Sequence, residues 1–250
     1  MKTSVIIPLK NEKENAEPAI RAVDMTMHSA GCPYEIIAVD DSDDGTWDIL
    51  QSLTDSIPAL YCTRGGEPAG LGSAWQSGIK ASSGEILVFF NGDMSDNPET
   101  ILTYIDLVGS GYDMVFGSRY MVGSSVYGGG FFKKWISRTG NRFLQLIFRL
   151  KCNDVTNSFK AYRREVLQAI VSASAGFAVA IETPLKAVLM GYSYTTVPIS
   201  WSDRKHGQSH MRLLGTMFSY LRVVVVLLLQ NIRGKLKQRN PRTIKKSHPG

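Results

Sequence analysis

The sequence predicts an α/β fold: a mainly parallel sheet flanked by helices. Three observations point there. Short apolar runs rich in Val and Ile alternate with longer segments of helical character, the pattern of repeated βαβ units. Polar and acidic residues gather directly after several of those runs, where open sheets of this kind bind ligands. The 250 residues, 44% of them hydrophobic, suffice for one substantial core rather than two large domains.

Taken in order, Val5–Pro8 reads as the first strand and Glu14–Ala30 as the helix after it. Tyr34–Asp40 is the second strand, followed by a helix over Thr46–Thr54, and Leu60–Thr63 is the third, followed by a helix over Gly70–Ala81. Ile86–Asn91 is the fourth strand; the next helix spans Pro98–Val108, with Pro98 suited to a first turn, and Met114–Gly117 is the fifth strand. Beyond residue 120 the pattern is less regular. Gly128-Gly129-Gly130 suggests a mobile loop and Trp135–Arg149 a helix. Leu213–Ile232 is largely apolar, with Arg222 its one charge, and seven basic residues but no acidic ones follow it. The expected organisation is an α/β domain over 1–212, an apolar amphipathic or membrane-associated helix over 213–232, and a disordered basic tail over 233–250. No internal repeat is evident.

The net charge of +6 suits an anionic partner, and nucleic acid, phosphorylated substrates and anionic lipid all fit it. Cys32, Cys62 and Cys152 are odd in number and far apart, which offers neither a zinc spacing nor a disulfide framework and suggests a reducing compartment. The apolar run near the start is too short for the core of a signal peptide, so the main body is expected in the cytoplasm.

Two strand ends carry the chemistry. The second strand ends in Asp40-Asp41-Ser42-Asp43-Asp44-Gly45-Thr46, where carboxylates could accept hydrogen bonds from a ribose diol or a base N–H. Asp43 and Asp44 suit a solvated turn and helix cap, which leaves Asp40 and Asp41 as the ligand candidates. The fourth strand ends in Asn91-Gly92-Asp93-Met94-Ser95-Asp96, with two oxygen-bearing side chains around a glycine. Mg²⁺ is held by one or two carboxylates together with substrate phosphates and waters, so this turn could hold a metal against a diphosphate. Taken alone, such a turn is more often a helix cap; the second acidic strand end favours the ligand reading.

These residues, with others in order along the chain, make it resemble family 2 glycosyltransferases of the GT-A fold, in particular the dolichyl- or polyprenyl-phosphate mannose synthases. The matching segments include Val5 to Glu12, Glu35 to Thr46, Gly70 to Ala74, Asn91 to Glu99, Gly117 to Tyr120, Ser137-Arg138 with Asn141, Asp154 to Arg163, Gly176 to Glu182, and Val197 to Ser209. The resemblance implies that Pro8, Glu12 and one or both of Asp40 and Asp41 hold the nucleoside, with Lys10, Gly70 and Ser118 also against the substrates. It implies a metal, Mg²⁺ or Mn²⁺, on Asp93 with Asn91 and Ser95. Arg119 and Arg138 correspond to arginines that receive the lipid phosphate, and Arg204 with Lys205 to a basic position near the donor phosphates. Asp154 falls in a segment used at the reaction centre and is expected among the catalytic residues, with Asp93, Arg119 and Arg138. The implied partners are a nucleotide diphosphate sugar and a polyprenyl or dolichyl phosphate, with a homo-oligomer or a membrane partner subunit as a further option.

Two positions depart from the family pattern. Asn91 stands where a carboxylate is usual, keeping an oxygen ligand but removing a charge, and Lys10 replaces an aromatic before Asn11-Glu12. The implied reaction is inverting transfer of a sugar, by default mannose from GDP-mannose, to the lipid phosphate. A phosphate monoester with a second pKa of about 6 is largely dianionic at neutral pH and needs no strong base. A soluble acceptor, or a catalytically weak partner subunit that only binds nucleotide sugar, are the competing readings; a nucleic-acid-binding module fits the acidic strand ends poorly. At about 1.5 Å per residue, Leu213–Ile232 could just cross a bilayer core of about 30 Å. Arg222 at its centre and the basic tail instead favour a helix lying in the interface at the cytoplasmic face of a membrane, or packed against another subunit, with a buried core helix as the competing reading.

Overall fold

Thr3–Leu9 (β1) shows why the sheet forms. Val5, Ile7 and Leu9 enter one hydrophobic core and Ile6 the other, so alternate side chains of one apolar run serve both faces. The computed structural model describes residues 1–204 and 213–234. After β1 come α1 (Lys13–Ser29), β2 (Tyr34–Asp40), α2 (Thr46–Thr54), β3 (Leu60–Arg64), α3 (Leu71–Ala81), β4 (Ile86–Phe89), α4 (Thr100–Gly109) and β5 (Met114–Ser118). The second half holds β6 (Ser125–Tyr127), α5 (Phe131–Phe148), β7 (Lys160–Arg163), α6 (Arg164–Ala169), α7 (Val179–Leu189), β8 (Tyr194–Pro198), β9 (Ser200–Ser202) and α8 (Leu213–Ile232).

Among the described residues, one sheet has the order β3-β2-β1-β4-β7-β5-β8, and β6 pairs with β9 beside it. The large sheet is parallel except for β7, which runs antiparallel between β4 and β5, placing Tyr162 opposite both Leu87 and Met114. Helices α1, α2 and α4 cover one face through Ile20, Val23, Leu50 and Ile101. Helices α3, α5, α7 and α8 cover the other, where Trp75 stacks on Phe89 with centroids 3.8 Å apart. A Cβ on Gly78 would lie 2.4 Å from Cγ2 of Ile6, so glycine lets α3 sit tight against β1.

The five expected strands and the helices between them are present, with ends shifted by a few residues. The fourth strand stops at Phe89 instead of Asn91, because the chain turns there to form the site, and α5 begins four residues before the expected Trp135. Strands β6 to β9 and helices α6 and α7 are additions to the sequence reading.

Helix α8 is not a buried core helix, the competing reading for this segment; only one stripe of it is buried. Val223, Val224 and Leu227 dock into the core, whereas Leu214, Phe218, Leu221, Arg222, Val225, Leu229 and Ile232 are exposed. Leu214–Ile232 is long and apolar enough to cross a membrane. The proposed boundary at 212 and the tail beyond Gly234 lie outside the described residues.

Candidate active site

A cleft of about 310 Å³ opens beyond the carboxyl ends of β1, β4 and β5, the position expected for a ligand in an open parallel sheet. Pro8, Lys10, Glu12 and Asp41 line one part. Asn91, Asp93 and Ser95 come from the turn after β4, Arg119 follows β5, and Thr156 to Ser158 precede β7. Trp201, Arg204, Phe177 and Tyr220 of α8 complete the wall.

Arg204 ties the segment after β1 to the turn after β4. Its Nη1 donates to Oε1 of Glu12 at 3.1 Å and its Nη2 to Oδ2 of Asp93 at 2.8 Å, so one planar guanidinium bridges carboxylates that lie far apart in sequence. Glu12 is held from the other side by Asn15 Nδ2 at 2.6 Å. Asp93 also accepts the backbone N–H of Ser95 through Oδ1. Lys10 Nζ donates to the carbonyl of Asp41. Burial pushes the Asp41 carboxyl above its ordinary range, and the Gly70 backbone N–H partly offsets this.

Asn91 is locked between two groups. Its Nδ2 donates to Oδ2 of Asp96 at 2.6 Å, and its Oδ1 accepts from Ser158 Oγ at 2.7 Å. Asp96 is buried, and its Oδ1 has no hydrogen-bond partner among the described residues. Burial, reinforced by the charge of Asp93, raises its pKa to about 7.

Beyond β5, Arg119 makes a two-pronged ion pair with Asp154, Nε to Oδ2 at 2.7 Å and Nη2 to Oδ1 at 2.8 Å. Asp154 is wholly buried and also accepts from the Arg119 backbone, Asn141 and Thr156. Its lone pairs are spoken for, and it does not line the cleft. Its contacts hold the Arg119 side chain in one orientation. The guanidiniums of Arg119 and Arg138 lie 5.4 and 5.1 Å from the ring of Tyr120, which gathers both onto one aromatic side chain. Lys160, fully buried on β7, donates to the carbonyls of Asn157 and Ala180, and burial lowers its pKa to about 7.

A model described as Glycosyl transferase family 2 matches residues 4–171. The chain belongs to that family. Among its curated relatives in the family, dolichol-phosphate mannosyltransferase from Pyrococcus furiosus is 35% identical over 234 residues, covering 91% of the chain. The chain spans 64% of the length of that relative. Polyprenol monophosphomannose synthase from Mycolicibacterium smegmatis is 33% identical over 221 residues, covering 84% of the chain and 81% of the relative. A structural neighbour is glucosyl-3-phosphoglycerate synthase from Mycobacterium tuberculosis, solved with Mn²⁺, uridine diphosphate and phosphoglyceric acid. It has a TM-score of 0.68 at 21% identity, covering 92% of this chain and 78% of its own, which establishes the shared GT-A fold.

Against this family background, the cleft brings together Pro8, Lys10, Glu12, Asp41, Asn91, Asp93, Ser95, Arg119 and Arg204. It does not bring in Asp40, Ser118 or Arg138. Asp40 is fully buried, pairs with Arg64 at 2.8 Å and accepts the Ser42 N–H, so it shapes the turn. Ser118 is buried beneath the cleft, donating to Asn153 and accepting from the Tyr120 N–H. Arg138 stays exposed on α5, beside Tyr120. Gly70 does not line the cleft and acts through its backbone contact with Asp41. Lys205 lies outside the described residues. The sequence reading did not single out Asp96, Tyr120, Ser158 or Tyr220. Asp96 was in view in the Asn91–Asp96 run, whereas Tyr220 had no local signal because only folding brings α8 to the cleft.

The donor set fits a divalent cation that is shared with a ligand. No cluster of three His, Cys, Asp or Glu side chains able to hold a metal exists among the described residues, so an all-protein cage is not formed there. Asp93, Asn91 and Ser95 are oxygen donors on one turn, as suits a hard cation completed by diphosphate and water.

Proposed function

We propose that this glycosyltransferase inverts the anomeric centre as it moves a sugar, by default mannose from GDP-mannose, onto a polyprenyl or dolichyl phosphate at the cytoplasmic face of a membrane. The observation that carries the reading is that one cleft is lined both by carboxylates suited to a nucleoside and a metal and by Arg119, fixed in place by a buried carboxylate. The names of the two curated relatives point to the same donor sugar and the same class of lipid acceptor.

In this reading Glu12 and Asp41 accept hydrogen bonds from the nucleoside and Arg204 serves the donor phosphates, all three lining the cleft. Asp93, with Asn91 and Ser95, would hold Mg²⁺ or Mn²⁺. When bound, the metal supplies Lewis-acid stabilisation of the departing diphosphate. Arg119 presents a planar fork to the attacking phosphate, and Asp154 removes its freedom to swing away, so orientation is set before reaction. The phosphate needs no general base, consistent with Asp154 being saturated.

Exposed apolar surface supports a membrane contact. Phe131, Phe132 and Trp135 stand exposed on α5 beside Lys133 and Arg138, an aromatic and basic face of the kind that settles at headgroup level. The exposed face of α8, with Arg222 in it, fits a helix lying in the interface better than one spanning it. The domain reading follows: a catalytic unit over 1–212, an interfacial helix over 213–232 and a basic tail over 233–250 held by anionic headgroups.

A screen of labelled GDP-mannose and UDP-glucose against liposomes with polyprenyl phosphate, and against soluble phosphorylated acceptors, tests the assignment. Label from GDP-mannose is expected in the lipid fraction. Transfer to a soluble acceptor without lipid would replace the reading, and no transfer from any donor would favour a binding subunit without catalysis.

A further inference from the structure

The turn after β4 contains a buried carboxyl that the reaction as described does not use. Asp96 is 3% exposed, one oxygen takes the Asn91 amide N–H at 2.6 Å, and the other oxygen has no partner among the described residues. A buried, half-satisfied carboxyl beside a second carboxylate is unfavourable for folding, and such groups in native structures call for a functional explanation.

An asparagine is a poor substitute for aspartate as a metal ligand for two reasons. It lacks the charge, and its side chain has two unlike ends: rotated by half a turn, it offers N–H groups where an oxygen is needed. Ser158 cannot decide between the two orientations, because a hydroxyl both donates and accepts. Asp96 settles it: its Oδ2 takes the amide N–H, so the NH₂ end of Asn91 faces Asp96 and the amide oxygen is left toward Ser158, which lines the cleft with Asn91 and Asp93. The same hydrogen bond polarises the amide and increases negative charge on its oxygen.

The geometry points to Asp96 as the positioning residue that makes Asn91 an oxygen ligand beside Asp93. This rests on the metal-assisted reading above.

The test is direct Mn²⁺ binding, by the paramagnetic resonance of free Mn²⁺, to the full chain with GDP present, with GDP binding alone measured in parallel. Asp96→Asn retains the shape but offers both a donor and an acceptor, so it no longer holds the amide one way. It is expected to weaken Mn²⁺ binding at least about tenfold, the usual effect of removing a group that orients a ligand, with GDP affinity in the absence of metal unchanged and the thermal midpoint not lowered. The double variant Asn91→Asp/Asp96→Asn is expected to recover the wild-type affinity, because a carboxylate presents oxygen in either orientation. Wild-type affinity in Asp96→Asn, or no recovery in the double variant, would overturn the assignment. If wild type binds Mn²⁺ with GDP but moves no sugar to lipid phosphate, the reaction assignment fails and the role of Asp96 stands; if wild type takes up no Mn²⁺, both fall.

Discussion

Glu35, at the amino end of β2, and Asp96, beyond the carboxyl end of β4, are both buried carboxyls, yet their surroundings are opposite. Glu35 accepts from Ser4 Oγ at 2.7 Å, from Ser83 N at 2.5 Å and from Lys2 Nζ at 2.6 Å. Burial alone would raise its pKa, but the hydrogen bonds from Lys2, Ser83 and Ser4 overcome it and hold the group at about 2. Asp96 has one amide partner and an orphaned oxygen. One end of the sheet is therefore closed electrostatically and serves stability. At the other, the polar groups are only partly satisfied by the protein, as expected of a surface completed by substrate.

The sharpest way to break this contrast is to remove one carboxylate at each end. Asp93→Ala should lower sugar transfer by about 10³-fold, the scale of losing a group that stabilises developing charge, with the thermal midpoint unchanged. Glu35→Ala should do the reverse, destabilising the fold by about 3 kcal/mol in denaturant titrations because several donors lose their acceptor, with kcat of the folded protein unaltered. Loss of activity in Glu35→Ala at full stability would erase the distinction between the two ends.

A pH titration separates the ends further. The Glu35 carboxyl has its folded pKa lowered from 4.5 to about 2, so its stabilisation is fully present above pH 4.5 and is lost as pH falls toward 2. In Glu35→Gln that part of the acid dependence of the denaturation midpoint should disappear. A smaller effect is expected at the bridge across the active end. Arg204→Lys keeps the charge but cannot span Glu12 and Asp93, and should raise KM for the nucleotide sugar about tenfold. An unchanged KM would remove Arg204 from the donor site.

The first half of the sheet was legible in the sequence because β1, β2 and β4 are buried on both faces and read as unbroken apolar runs. Strand β7 was not, since it is four residues long and begins with Lys160, a charged residue whose burial is compensated by backbone carbonyls from Asn157 and Ala180. The acidic strand ends announced the site, but not which of two adjacent aspartates faces it. Asp40 and Asp41 are indistinguishable in sequence, and Arg64 of β3 claims Asp40. Arg119 was anticipated from the family pattern, whereas its fixed geometry depends on Asp154 and Asn141, which only the fold brings into contact. The Asn91–Asp96 hydrogen bond also lay beyond the sequence reading, because it arises from the path of the turn.

The acceptor is the most direct test of the whole account. Labelled GDP-mannose offered to the full chain in liposomes containing either polyprenyl phosphate or the same polyprenol without its phosphate should move label only to the phosphate, with Arg119→Ala abolishing that transfer. Equal labelling of the unphosphorylated lipid, or transfer to polyprenyl phosphate that survives Arg119→Ala, would contradict it.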